Sequence, residues 1–206
     1  MDVVVALLGL AVVHVLAVAS PGPSTVLVVQ TAAVSRRGGL ISALAMTLGS
    51  LAWAAAALYG LQALFAQFAW LHRGFQVAGG LFLVYLAVTI WRHAREPLPE
   101  IQAATTRSGD GQVFVRALLL QLGNPKIMVF FGSIFLSVLP HDMPGWMRPV
   151  VLAIVAFDEF TWFALLTLLF SGGTARTFYR RAKFWIERFM GGALAVLGLR
   201  LALSAR

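Results

Sequence analysis

The chain contains no cysteine. Disulfides, thiol catalysis and thiolate metal sites are therefore excluded. Charge is scarce as well. Asp, Glu, Lys and Arg make up 12% of the 206 residues, against about 25% in a soluble domain. Acid is the scarcer sign, with 8 Asp and Glu against 16 Lys and Arg. A net charge of +8 can point to nucleic acid. Here the basic residues stand between apolar runs, as cytoplasmic loops of a membrane protein place them. Nucleic acid is not an expected partner.

What the chain has in quantity is apolar sequence: 60% of residues, with a mean hydropathy of +0.85. Val3 to Ser35 and Gly38 to Leu71 contain no Asp, Glu, Lys or Arg. Apolar runs of about 18 residues or more read as membrane-spanning helices. Strands of a membrane barrel alternate over about 10 residues, whereas these runs are long, continuous and rich in Leu and Ala. The expected fold is an all-α integral membrane protein with six spans, over 3–34, 39–64, 74–91, 113–139, 149–171 and 186–203. Ala17-Val18-Ala19 mimics a signal-peptidase site, but the start, Met1-Asp2, lacks a positive n-region. The first run is expected to be retained.

Orientation follows Lys and Arg. The first connection holds Arg36 and Arg37; the third Arg92, Arg95, Arg107 and Arg116; the fifth Arg176, Arg180, Arg181, Lys183 and Arg188. The second holds Arg73 and the fourth Arg148. The odd connections are expected inside, with both termini periplasmic.

The two halves resemble each other. Ser20-Pro21-Gly22-Pro23-Ser24 interrupts segment one, and Gly123-Asn124-Pro125-Lys126 interrupts segment four, with Pro21 and Pro125 104 residues apart. Ser50-Leu51-Ala52-Trp53 matches Glu159-Phe160-Thr161-Trp162 at a shift of 109, and Gly79-Gly80 matches Gly191-Gly192 at 112. With three spans per half, the second repeat must be inverted. The expected organisation is a 3+3 inverted repeat with broken helices one and four: 1–95 as the first repeat, 96–112 as a cytoplasmic linker and 113–206 as the second repeat. Inverted repeats with interrupted helices in matching places point to a transporter with a midplane site.

The breaks carry chemistry. Proline removes a backbone N–H and clashes with the preceding turn, and in lipid every freed group needs a partner. Asn124 and Pro125 read as N-cap and first position of a restarted helix; Ser20 and Pro21 can do the same. Helix starts favour carboxylates. The alternative is a pair of kinks that only shape packing. Lys126, Asp158 and Glu159 fall roughly 14 Å deep at about 1.5 Å per residue. Charges there should face the interior and find partners. Adjacent helical residues point about 100° apart, so Asp158 and Glu159 are not expected to face one spot: one pairs with Lys126 and the other stays available for a proton or a substrate ammonium. Taking a carboxylate out of water favours its protonated form, as a proton carrier needs. A static bridge between segments four and five is the alternative. His14 is either a packed histidine or a relay. Trp53 and Trp162 line the substrate path or fill the core. His141-Asp142 is too small a set for a metal site, and no metal or cofactor is expected. Arg200 should snorkel, and the glycine pairs should permit close helix approach.

Ser20-Pro21-Gly22-Pro23, Arg36-Arg37-Gly38, a glycine-containing second span and Asn124-Pro125-Lys126 followed by Phe130-Phe131 resemble the LysE/RhtB family of bacterial amino-acid exporters. Length and six-segment layout agree over nearly the whole chain. The resemblance implies an inner-membrane efflux protein for amino acids or close derivatives, working as a proton antiporter. Its partners would be the amino acid, protons and the lipid bilayer, with a homodimer left open. Where members often carry Asn or Asp after the Pro-Gly-Pro motif, this chain has Ser24. A passive channel is the second reading. An intramembrane enzyme is the third, but neither a Gly-x-Ser-x-Gly-like nucleophile nor His-Glu-x-x-His occurs in the sequence.

Overall fold

The computed structural model describes residues 3–20, 22–61, 69–95, 109–139, 143–171 and 173–203. Pro21, His141-Asp142 and 96–108 of the expected linker lie outside the described residues. Every regular element among the described residues is helical.

Helix α1 (Val3–Ala19) stops at the first break, and α2 (Pro23–Val34) restarts with Pro23 in its first turn. The two axes bend by 63°. Ser35 then turns the chain in one residue. It is extended, with φ −156° and ψ 124°, and its side chain accepts the Gly38 N–H at the start of α3 (Arg36–Ala55). That is an ordinary serine N-cap. Helix α3 runs on into a π-helical turn, Ala56–Leu61. Helix α4 is Ala69–His93. The second half repeats the opening device: α5 (Asp110–Leu122), then α6 (Pro125–Val138), bent by 53°. Helix α7 is Met147–Phe170 and α8 is Gly173–Leu203.

By length and composition, α3 with its π turn (Arg36–Gly60) and α7 can each cross a membrane, and counting each bent pair as one span gives up to four. The described residues of the six expected runs are mainly helical. Two expected boundaries differ. Helix α5 starts at Asp110, inside the stretch read as linker. The expected fifth connection does not exist as a loop, because α8 is continuous from Gly173 for 31 residues. Its basic residues are good helix formers, and no proline or glycine interrupts 174–190.

Helix α4 packs most extensively on α8, α3 lies between α5 and α7, and α1 and α2 pack on α7. Glycine sets the closest approaches. A Cβ on Gly80 would stand 2.6 Å from the Gly198 carbonyl oxygen, and one on Gly39 2.5 Å from Thr167 Cγ2. Gly79 lies against Ser133. One buried cluster joins Leu10, Phe130, Phe131, Val151 and Val155 across α1, α6 and α7; another joins Val28, Met46, Ala117 and Phe163. Leu8, Leu119, Phe157 and Val196 are more than half exposed, giving the apolar exterior that a bilayer requires.

Candidate functional site

A break leaves the last carbonyls of one helix and the first N–H groups of the next without partners. The two breaks solve this differently. At the second, the Asn124 side chain accepts the Lys126 N–H at 3.1 Å, which caps the start of α6. The Trp53 Nε1–H donates to the Leu122 carbonyl at 3.0 Å, which caps the end of α5. At the first, Gly22 is the N-cap of α2 and offers no side chain, so that helix start carries no side-chain cap. The end of α1 is capped from the other half. The Lys126 ammonium donates to the carbonyls of Ala17 at 3.1 Å and Ser20 at 3.2 Å. A cation on the negative end of a helix is favourable. The expected ion pair between Lys126 and a carboxylate is absent among the described residues: backbone carbonyls at the end of α1 hold the ammonium instead, that of Ala17 also accepting the Ser20 N–H at 3.3 Å.

Side-chain hydrogen bonds join the two breaks. The Ser24 hydroxyl donates to Gln121 Oε1 at 2.5 Å and accepts the Asn124 amide at 3.2 Å. Gln121 Nε2 donates to Ser50 at 2.7 Å and to Glu159 Oε1 at 2.9 Å. Gln121, Ser50 and Glu159 are fully buried. One amide thus connects the first break, α3 and α7.

Both carboxylates reach one imidazole. His14 Nδ1 is 3.2 Å from Asp158 Oδ2, and Nε2 is 3.5 Å from Glu159 Oε2. The expectation that adjacent carboxylates cannot face one spot fails here. A ring with nitrogens on two sides spans the angular gap between neighbouring residues. His14 is 1% exposed, and Phe130 and Phe131 stand 5.9 and 5.6 Å from it, centroid to centroid. A neutral imidazole donates from one nitrogen, a protonated one from both.

These groups surround a small cavity of ≈ 10 Å³, about the room of one water molecule. Ser20, Gly22, Ser24, Asn124 and Lys126 line it from the breaks, and Glu159 lines it from α7. Pro23, Pro125, Trp53, Trp162, His14 and Asp158 lie outside the lining. Trp162 packs on the cluster that holds Val18 and Phe163, and its Nε1 is buried without a hydrogen bond among the described residues. Ser20 Oγ is likewise buried and unbonded.

Gln121 and Thr25 also line the cavity, and sequence reasoning did not single them out. The signal for Gln121 was its place as a polar residue in an apolar run two residues before Gly123. Ser50 was visible only as the counterpart of Glu159 in the matched segments, and both bond to Gln121.

Residues 15–205 match the family model described as LysE type translocator. The "Threonine efflux protein" of Escherichia coli (strain K12) is 33% identical over 204 residues, covering 96% of this chain and 97% of that protein. The Salmonella typhi protein of the same name is 33% identical over 201 residues, 94% of this chain and 96% of its own length. An "Uncharacterized membrane protein" of Haemophilus influenzae is 28% identical over 189 residues, 90% of each chain. No solved structure matches the chain significantly.

Proposed function

The chain belongs to the LysE type translocators, and on that premise we propose that it exports a small neutral amino acid or close derivative from the bacterial cytoplasm by proton antiport. It is a transporter, not an enzyme. The observation that carries the substrate reading is one cavity lined by both an ammonium, Lys126, and a carboxylate, Glu159, beside the uncapped start of α2. A zwitterion is the complement of that set. Its carboxylate would sit on the start of α2 beside Lys126, and its ammonium would face Glu159. The hydroxyls of Ser20, Ser24 and Thr25 suit a small polar side chain, and the relatives named for threonine efflux agree with that chemistry.

Two bent pairs of 63° and 53° in corresponding segments support the 3+3 inverted repeat, with 1–95 and 113–206 as its halves. The packing of α3 on α7 and of α4 on α8 supports it too, since each pairs a segment with its counterpart. The small cavity suits an enclosed state between two open ones. His14 between Asp158 and Glu159 gives a proton three neighbouring acceptors, of which Glu159 also touches the substrate space. Proton and substrate then compete for Glu159, which is the simplest form of antiport. The midplane site and the periplasmic termini belong to the same proposal.

The test uses purified protein in proteoliposomes loaded with labelled threonine. An imposed proton gradient should drive threonine against its own gradient. Glu159→Gln should abolish the driven flux and its pH dependence, while threonine exchange persists only at a raised half-saturating concentration, because the substrate ammonium loses its counter-charge. A driven flux that survives in Glu159→Gln with its pH dependence intact would overturn the proton assignment. Absence of threonine, serine and alanine exchange in the wild-type protein would overturn the substrate assignment.

A further inference from the structure

Far from the cavity, where α4 ends and α8 runs past it, arginines lie on aromatic rings. Arg188 Cζ is 4.5 Å from the centroid of Trp91 and 5.1 Å from that of Phe184. Arg95 Cζ is 6.0 Å from the Phe184 centroid. The glycine pair of α8 makes the bed for this stack. A Cβ on Gly191 would meet the Ala87 carbonyl oxygen at 3.1 Å and Trp91 Cε3 at 3.5 Å, so the indole rests on bare helix backbone. Stacking engages the face of a guanidinium and leaves its in-plane N–H donors free to bind an oxyanion in a fork. Arg188 Nε is buried and makes no hydrogen bond among the described residues. Arg92, next to Trp91, and Arg95 are exposed.

Helix α8 is strongly basic in sequence. Along 173–203 Glu187 is the single acidic residue, against Arg176, Arg180, Arg181, Lys183, Arg188 and Arg200, and Glu187 is buried. Large apolar side chains flank the stack: Trp185 is 73% exposed and Phe189 70%. A 31-residue helix is about 46 Å long at ~1.5 Å per residue, well over the ~30 Å hydrocarbon core. One end of α8 must therefore reach the headgroups. Basic residues mark the end on the inner side, and exposed tryptophans belong at the headgroup level.

We propose that Arg95 and Arg188, stacked on Phe184 and Trp91, form a headgroup site for an anionic phospholipid of the inner leaflet. The phosphate takes the free edge donors of the two guanidiniums. The acyl chains lie along the exposed Trp185 and Phe189 side of α8. Among the described residues around the stack the one carboxylate, Glu187, is buried, and that excess of exposed positive charge selects an anionic headgroup over a zwitterionic one.

The experiment uses the full-length protein in detergent micelles. Its thermal midpoint is followed while phosphatidylglycerol, phosphatidylcholine with the same chains, or inorganic phosphate is added. Phosphatidylglycerol alone should raise the midpoint saturably. The pair Arg95→Gln and Arg188→Gln should weaken its apparent affinity about 25-fold, about fivefold per arginine. Arg188→Lys, which keeps the charge and loses the fork, should weaken it less than Arg188→Gln. Arg36→Gln, an exposed cation at the start of α3, should leave the affinity unchanged. If the Arg188 variants do not fold, Arg92→Gln with Arg95→Gln, both exposed, must weaken affinity in the same direction. An equal response to phosphatidylcholine, full reproduction by inorganic phosphate, an unchanged affinity in the paired variant, or an equal loss in Arg36→Gln would each overturn the site.

Discussion

Replacing Gln121 with methionine keeps the length of the side chain and removes its polar end. The unbranched stem matters, because α3 packs on it: a Cβ on Gly49 would stand 2.8 Å from both Cβ and Cγ of Gln121. The substitution therefore leaves little new cavity. It removes two neutral hydrogen bonds, with Ser24 and Ser50, and one to the carboxylate of Glu159. A neutral side-chain bond within a membrane protein is worth about 0.6 kcal/mol to about 1 kcal/mol. A bond to a charged group is worth about 1.5–3 kcal/mol. The expected loss is about 3–5 kcal/mol, dominated by a buried Glu159 left without its donor. Unfolding in detergent with a rising fraction of dodecyl sulfate measures it. Ser24 keeps its bond from Asn124, so part of the joint between the breaks survives. The cycle with Glu159→Gln isolates the charged part. In the Gln121→Met background, neutralising Glu159 should recover about 1.5–3 kcal/mol; in the wild-type background it should stabilise less or destabilise. A Gln121→Met protein within about 1 kcal/mol of wild type, or a second substitution that recovers nothing, refutes the argument that this amide satisfies the carboxylate.

Other expectations follow from the same contacts. Lys126→Met removes the ammonium from the carbonyls of Ala17, which keeps the Ser20 N–H, and Ser20, so folded yield should fall, and adding Glu159→Gln should not restore it; restoration would show that the carboxylate, not the carbonyls, is the partner that matters. Gly198→Val forces a Cβ to 2.6 Å from the Gly80 carbonyl oxygen and should destabilise by about 3 kcal/mol or more. Gly111→Ala, with open space around it, should be neutral or stabilise by up to about 1 kcal/mol; thermal unfolding of both variants compares them directly. Reporter fusions after Arg107 and after Arg181 should both read cytoplasmic, and a periplasmic result at either removes the inverted arrangement of the halves.

The breaks were legible because proline and glycine act on the backbone of their own residue, whatever surrounds them. Asn124-Pro125 predicts a capped restart, and the restart is there. Charge scarcity likewise marks Lys126 and Glu159 as interior residues, and both line the cavity. The partner of Lys126 was not legible. Backbone carbonyls leave no residue type to read, and the eye goes to a carboxylate. Gln121 carries no charge, so in an apolar run it looks like a tolerated polar residue until three elements converge on it. The start of α8 was missed for a different reason. Apolar runs delimit what sits in hydrocarbon, whereas a helix ends where capping and backbone chemistry end it, and Arg and Lys do not stop one. Gly198 gave no sign because its counterpart, Gly80, comes from a distant segment, and the sequence does not display that pairing.

The contact between Gly80 and Gly198 has a mechanical consequence. Where side chains interdigitate, two helices can slide by swapping rotamers one at a time. Between α4 and α8 the backbones touch, with the Ala202 N–H and the Gly198 carbonyl standing where a Cβ of Gly80 would be. No soft layer exists there to yield. The pair behaves as a strut, and its length and angle stay fixed while its surroundings rearrange. Gly191, about two turns earlier in α8, adds a second close approach, with a Cβ there 3.1 Å from the Ala87 carbonyl oxygen and 3.5 Å from Trp91 Cε3. The polar groups that can exchange partners, by contrast, lie on α1, α2, α3, α5, α6 and α7, around His14, Ser24, Ser50, Gln121, Asn124 and Glu159. The stiff element and the polar joint sit in different parts of one small protein. That division lets a small change of charge at the joint become a displacement relative to a fixed frame.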